Sequence, residues 1–266
     1  MDPSQCDPAS ARAVLDLLRQ RGFEAAHRNG DALTFLPPSP TEADARAFYG
    51  LMKHYSFRLF LRDVIRFQGE LDPDRLTHFV DAETAASYTA ELERLGMLAR
   101  ANGRLLLPSG RIENFGATLE WFVARALALE FAIPALAGVQ LLGSGSGGDY
   151  DVVGAMSGQV VYIETKSSPP KHIDDREVEV FLERLDDLKP DLAIFLVDTN
   201  LRMLDKVVAM FERYGVHPER LESEIFHAGH RLFVTNSKHE LVSNLRTCLK
   251  AFHAARFRWP ARSPKP

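Results

Sequence analysis

The run Tyr150-Asp151-Val152-Val153 places a carboxylate inside an apolar β pattern, and Val160-Val161-Tyr162-Ile163-Glu164-Thr165-Lys166 places a second carboxylate and an ammonium inside another. Residues two apart on a strand project to one side. Asp149 and Asp151 therefore share a face, as do Glu164 and Lys166, while Ile163 and Thr165 point away. If the two strands pair as a hairpin around Met156-Ser157-Gly158, Asp151 and Glu164 converge where the strands diverge. Burying such groups uncompensated costs on the order of several kcal/mol, so the cluster needs a cation or another partner. Mg²⁺ or Mn²⁺ suits it: two carboxylates and a backbone carbonyl, most naturally that of Thr165, form an incomplete shell of hard oxygens that leaves room for water. A metal so held polarises a phosphate and acidifies a bound water, and the Lys166 ammonium can orient that water or stabilise developing phosphorane charge. The chemistry is phosphodiester hydrolysis.

These residues need a rigid sheet. From about 111 the pattern reads as a helix with the apolar stripe Leu119, Phe122, Val123, Leu127 and Phe131, three successive strands (138–143, 150–156 and 159–168), a helix, the strand Leu192–Asp198, a helix over 201–214, the strand 231–236 and a last helix from about 238. The order predicts an α/β fold with a mixed sheet flanked by helices, whose VVYI and LAIFLV runs suit central strands covered on both faces. Ahead of it, residues 10–21 have helical spacing, and FEAAHRNGDALTFL reads as two strands around Asn29-Gly30, giving a small αββ unit over 1–40. PPSPT at 37–41 reads as a linker. The expected domains are thus 1–40, 41–110 and 111–266.

Within the second domain, residues 57–108 read as helix, short helix, longer helix and β-hairpin, which resembles a winged helix-turn-helix. The third helix carries Glu83, Glu91 and Glu93 against the single Arg94, a composition that suits packing or a protein partner. Arg94, with Arg100 and Arg104 on the proposed wing, keeps nucleic-acid contact in play.

Asp151, twelve intervening residues and then Glu164-Thr165-Lys166 resemble the motif of the PD-(D/E)xK nuclease superfamily, the restriction-endonuclease-like fold. The resemblance covers about 140 residues, and Tyr150 stands where the literal motif has proline. It implies an αβββαβ core, Asp151 and Glu164 as metal ligands and Lys166 as the catalytic lysine. Gly116-Ala117-Thr118-Leu119-Glu120 is similar to a Gly-x-x-Leu-Glu helix found in several branches, including CRISPR-associated and Mrr-like nucleases. By that likeness Glu120 is a fourth member of the site; by itself it is a glutamate on an amphipathic helix.

The net charge of −4 argues against a protein that coats nucleic acid non-specifically, because such binding runs on phosphate neutralisation. Contact must be local. Lys171, just past the active strand, could touch phosphate or simply be an exposed loop residue. The basic C-terminal stretch holding Arg246, Lys250, Arg256, Arg258, Arg262 and Lys265 among Phe252, Phe257 and Trp259 is either phosphate-binding or a solvated helix end and tail. GSGSGGD at 143–149 lacks the GK[ST] of a phosphate loop and reads as a close approach or a flexible turn. His227 and His230 flank an expected turn with no further ligand spaced to join them, which favours a structural role. Cys6 and Cys248, far apart, suggest neither disulfide nor zinc. No apolar run approaches the roughly 18 residues of a membrane span, and the opening residues lack a signal-peptide pattern, so a cytoplasmic protein is expected. The combined expectation is a Mg²⁺- or Mn²⁺-dependent nuclease, endo- rather than exonucleolytic, on DNA in preference to RNA, with a homodimer or a protein partner at the winged-helix region. Its rival is a nuclease-fold scaffold or winged-helix regulatory subunit.

Overall fold

The computed structural model describes residues 8–27, 34–38, 41–113, 115–143, 145 and 147–256. Cys6, the Asn29-Gly30 turn and the tail residues Phe257, Arg258, Trp259, Arg262 and Lys265 lie outside the described residues.

Among the described residues, one mixed sheet of eight strands organises the chain. Helix α5 (Gly116–Phe131) leads into β4 (Ala135–Leu141), β5 (Asp149–Met156) and β6 (Gln159–Lys166), which pair antiparallel in sequence. Helix α6 (Asp175–Leu188) then crosses over to β7 (Leu192–Val197), parallel to β6. Beyond it, β10 (Leu232–Asn236) pairs parallel with β7, and β9 (Ile225–Ala228) and β8 (Glu219–Glu222) complete that edge. The short strand β8 carried no apolar run by which to be found: its four residues are ERLE. The segment 204–208 winds as a π-turn ahead of α7 (Ala209–Arg213) where one continuous helix was expected.

Every residue of β7, and all of β6 but Lys166, is buried. Alternation explains why such unbroken apolar runs are needed. Val161, Ile163, Ile194 and Leu196 pack to one side with α5 and α8 (Leu241–Arg256), while Val160, Tyr162, Phe195 and Val197 pack to the other with α6 and α7. The expected stripe on α5 faces the sheet, with Leu119, Phe122, Val123 and Leu127 buried and Phe131 at its margin.

The N-terminal elements are laid against this sheet. Helix α1 (Pro8–Gln20) joins the α6 face through Val14, Leu17 and Leu18, and β1 (Ala25–His27) pairs antiparallel with β4 as the sheet's outer strand. The first strand of the expected αββ unit is thus spent on the large sheet. The reason is its short length: three residues cannot bury an apolar face without a neighbour.

Helices α2 (Glu42–Met52), α3 (Tyr55–Arg66) and α4 (Ala82–Arg94) follow, with a 3₁₀ turn at Pro73–Thr77 and a two-stranded sheet of β2 (Ala99–Ala101) and β3 (Arg104–Leu106). Capping explains two of the starts: Thr41 and Asp44 form a capping box on α2, and Asp81 accepts from the Thr84 N–H at α4. Phe48, Phe57, Phe60 and Leu92 from these helices belong to the same apolar cluster as Phe122 and Ile163, so the core runs across residue 110 without a break. Arg58 of α3 is fully buried in a pair with Asp198, just past β7. Among the described residues no helix is long and apolar enough to cross a membrane.

Candidate active site

The β5–β6 hairpin turns through Ser157 and Gly158, both at positive φ (50° and 77°), the backbone of a two-residue turn that follows the strands' twist. Its ladder runs from Met156 opposite Gln159 to Val152 opposite Ile163 and stops. At the next position the side chain of Asp151 replaces the rung: its Oδ2 accepts from the Thr165 N–H at 2.8 Å and from the Thr165 hydroxyl at 3.2 Å. On the other side the β4–β5 register passes from Ala137 opposite Val152 to Val139 opposite Tyr150, skipping Gly138 and Asp151. Gly138 adopts φ +64°, a conformation that costs glycine least. Breaks in both ladders re-aim Asp151, as irregularities beside functional sites commonly do.

Glu164 sits where the sequence expects it, two residues before Lys166 on the α6 face, and is almost fully buried. Its Oε1 lies 3.0 Å from Lys166 Nζ. Its Oε2 accepts a hydrogen bond from the Tyr162 hydroxyl and one from Arg184 of α6 at 2.9 Å. Lys166 is also paired with Glu177 of α6 at 3.1 Å. The guanidinium of Arg184 lies 5.6 Å from the centroid of the Tyr150 ring.

The electrostatics report crowding. Burial, then the Glu164 and Glu120 carboxylates, push Asp151 well above the usual carboxylate range, against the Thr165 N–H. Burial, then Glu164 and Asp149, push Glu120 up to about 7, with Arg184 and Lys166 opposing. Burial alone would lower Lys166, but Glu164, then Glu177 and Asp151, outweigh it and hold the ammonium above its ordinary value. Burial and the adjacent Glu164 keep the Tyr162 phenol protonated as a donor. Burial and mutual repulsion thus make Asp151 and Glu120 harder to ionise than ordinary carboxyls, despite the two cations beside them.

This bears on whether a metal fits. Among the described residues no trio of His, Cys, Asp or Glu is arranged to hold one. The shell expected from sequence is smaller than such a trio, the carboxylates of Asp151 and Glu164 with one carbonyl, and a divalent cation on these hard oxygens would relieve the repulsion that raises Asp151.

Asp151, Glu164, Thr165, Lys166 and Glu120 therefore come together. Three participants were missed: Tyr162, Glu177 and Arg184. Tyr162 was detectable as the residue two before Glu164 on the same face. Glu177, Phe181, Arg184 and Leu188 follow at helical spacing, so a face of α6 carrying one acid and one cation was also detectable once that helix was known to lie over β6.

The residues expected to touch nucleic acid sit on α4, on the two-stranded sheet and in the turn after β6. Arg94 is paired with Glu91 at 2.9 Å and Asp44 at 3.6 Å, and Arg100 with Glu93 at 3.0 Å. They and Arg104 belong to α4 and the two-stranded sheet. Lys171 is exposed in the 3₁₀ turn Pro170–His172 that follows β6, and its carbonyl accepts from Lys206 Nζ at 2.7 Å. Of the basic C-terminal residues, Arg246 lies 3.8 Å from Glu130, Arg256 lies 3.9 Å from Asp191, and Phe252 is buried in the core. His227 and His230 stack at 3.9 Å between ring centroids, and burial, then His230, lower the pKa of His227.

No family model matches the chain, and no curated protein matches it. Solved structures are. Protein VC1899 from Vibrio cholerae superposes with a TM-score of 0.52 at 17% identity over 91% of this chain and 62% of its own. Can2 from Sulfobacillus thermosulfidooxidans, in complex with cyclic tetra-adenylate, reaches a TM-score of 0.49 at 12% identity over 90% of this chain and 60% of its own. The chain thus spans about three-fifths of either neighbour. With the first it shares a fold, a mixed α/β sheet flanked by helices, and at that identity the likeness is one of fold alone.

Proposed function

We propose that this chain is a metal-dependent nuclease of the PD-(D/E)xK type that hydrolyses phosphodiester bonds, in DNA in preference to RNA. The observation that carries the reading is the meeting of Asp151, Glu164 and Lys166 at the point where β5 and β6 part, with Glu120 added from α5. Asp151 and Glu164, with the carbonyl of Thr165, would hold Mg²⁺ or Mn²⁺, and Glu120 would stand behind them. A bound divalent ion supplies Lewis acidity and a water of lowered pKa. Lys166, held by Glu164 and Glu177, keeps its proton and offers positive charge to the attacked phosphate. The Thr165 N–H fixes the Asp151 carboxylate, and the Tyr162 hydroxyl fixes Glu164. Endonucleolytic cutting of both strands would call for two such sites and hence a homodimer.

A second reading has one observation in its favour. Both oxygens of Glu164 are already engaged by Lys166, Tyr162 and Arg184, as they would be in a scaffold whose charges serve packing. One experiment separates the two: plasmid DNA, single-stranded DNA and RNA incubated with Mg²⁺, Mn²⁺ or EDTA, using wild type, Glu164→Ala and Lys166→Ala. The nuclease reading expects metal-dependent products that either substitution reduces about 100-fold or more. Equal products from wild type and both variants, or none under any condition, favour the scaffold.

A further inference from the structure

Arg184 is the cation at the site that no motif accounts for. It reaches from the third turn of α6 to Glu164 Oε2 at 2.9 Å, its NH1 stands 3.5 Å from the Tyr162 hydroxyl, and its side chain is only 12% exposed. Its place is built. The guanidinium lies over the Tyr150 ring, and its NH2 occupies the space a side chain at position 148 would need: a Cβ on Gly148 would come within 3.0 Å of it. Gly148 also adopts φ +74°. This gives the glycine-rich segment before β5 a physical purpose, since its last glycine lets the backbone close over Arg184. The Nε of Arg184 is buried with no hydrogen-bond partner among the described residues, so the guanidinium is held chiefly by Glu164 and the aromatic face.

We propose that Arg184 is an internal counter-cation that competes with the divalent metal for Glu164, and so sets how much metal the site needs before it fills. The inference rests on the nuclease reading above, because it takes Glu164 as a metal ligand. In the metal-free protein Arg184 and Lys166 neutralise Glu164 between them, one on each oxygen. An incoming divalent ion must take lone pairs from a carboxylate whose oxygens already serve Lys166, Arg184 and Tyr162, and it must do so against the Arg184 charge a few ångströms away. Lys166 is braced by Glu177 and stays. Arg184 carries the exchangeable contact.

The test is Mn²⁺ binding to the full chain, read by calorimetry and by the electron paramagnetic resonance of free Mn²⁺, with no nucleic acid present. Wild type, Arg184→Gln, Arg184→Met, Arg184→Lys and Glu164→Gln are compared, each checked for a wild-type melting profile. Removing the charge, by Gln or Met, is expected to tighten Mn²⁺ binding by about tenfold or more, whereas Arg184→Lys stays near wild type. Two chemically different neutral variants keep the test available if one does not fold. Unchanged or weaker binding in the neutral variants, with binding still lost in Glu164→Gln, overturns the inference and leaves the nuclease reading standing. Absence of any Glu164-dependent binding in every variant overturns both.

Discussion

Glu120 shows how a single residue can report on the site. Its carboxyl holds a proton up to about pH 7 because burial and the Glu164 and Asp149 charges oppose ionisation. An unfolded chain releases that proton near the ordinary glutamate value of about 4.3. Between those values the folded state binds more protons than the unfolded one, so metal-free stability must fall as pH rises through the window. Asp151, raised by burial, then by Glu164 and Glu120, adds to the trend. Urea denaturation in EDTA is expected to show a loss on the order of 1–3 kcal/mol between pH 5 and pH 7.5. Glu120→Gln should flatten that slope, since it keeps the shape and removes the ionisation. A slope the substitution leaves unchanged would mean that Glu120 does not share the field of Asp151 and Glu164. At the same scale, Tyr162 and Glu177 show that motif residues are only part of a site, because each oxygen and ammonium also needs a neighbour to hold it still.

The elements are tied by charge as well as by apolar surface. Arg58 of α3 donates to both oxygens of Asp198 past β7, to the Met52 carbonyl at 2.6 Å and to the Lys53 carbonyl at 3.2 Å, while the Ser237 hydroxyl donates to Asp198 at 2.5 Å. Arg62, one turn further along α3, joins the same carboxylate. Burial alone would raise Asp198, but Arg58 and Arg62 hold it below its ordinary value. Such a network is poor evidence of net stabilisation, yet breaking one member leaves the other charge buried without its main partner. Arg58→Ala is expected to cost about 3–5 kcal/mol in urea denaturation. Asp198→Asn combined with Arg58→Met should cost less than the sum of the two single changes. Strict additivity would show that the pair is not coupled. The β5–β6 hairpin makes a complementary point: its tight turn sets the register that brings Asp151 and Glu164 just past the last rung, and the lost pairing beside Gly138 accompanies the turn of the Asp151 carboxylate toward Thr165.

At the scale of the molecule, the helical region and the sheet share one core. Phe48, Phe57 and Phe60 join Phe122 and Ile163 in one cluster, and β1 closes the sheet beside β4. A fragment of residues 111–266 would expose that face, lose the edge strand and leave Asp198 without Arg58 and Arg62. It is expected to show no cooperative urea transition by circular dichroism under conditions where the whole chain does. A sharp transition in the fragment would instead establish 111–266 as an independent domain.

By itself, the sequence determined the central strands and which of their charged residues share a face. A period of two is rigid, so Glu164 and Lys166 had to share a face, and Ser157-Gly158 had to fold β5 back on β6. The apolar runs at 160–163 and 192–197 likewise required cover on both sides. Partners separated by a crossover were a different matter. That Arg184 meets Glu164, that Arg58 meets Asp198 across 140 residues, and that β1 leaves its neighbours to pair with β4 depended on how helices settle over a sheet. Periodicity specifies which face of each element is apolar; only close packing of those faces decides which polar side chains at their margins come within a hydrogen bond of one another.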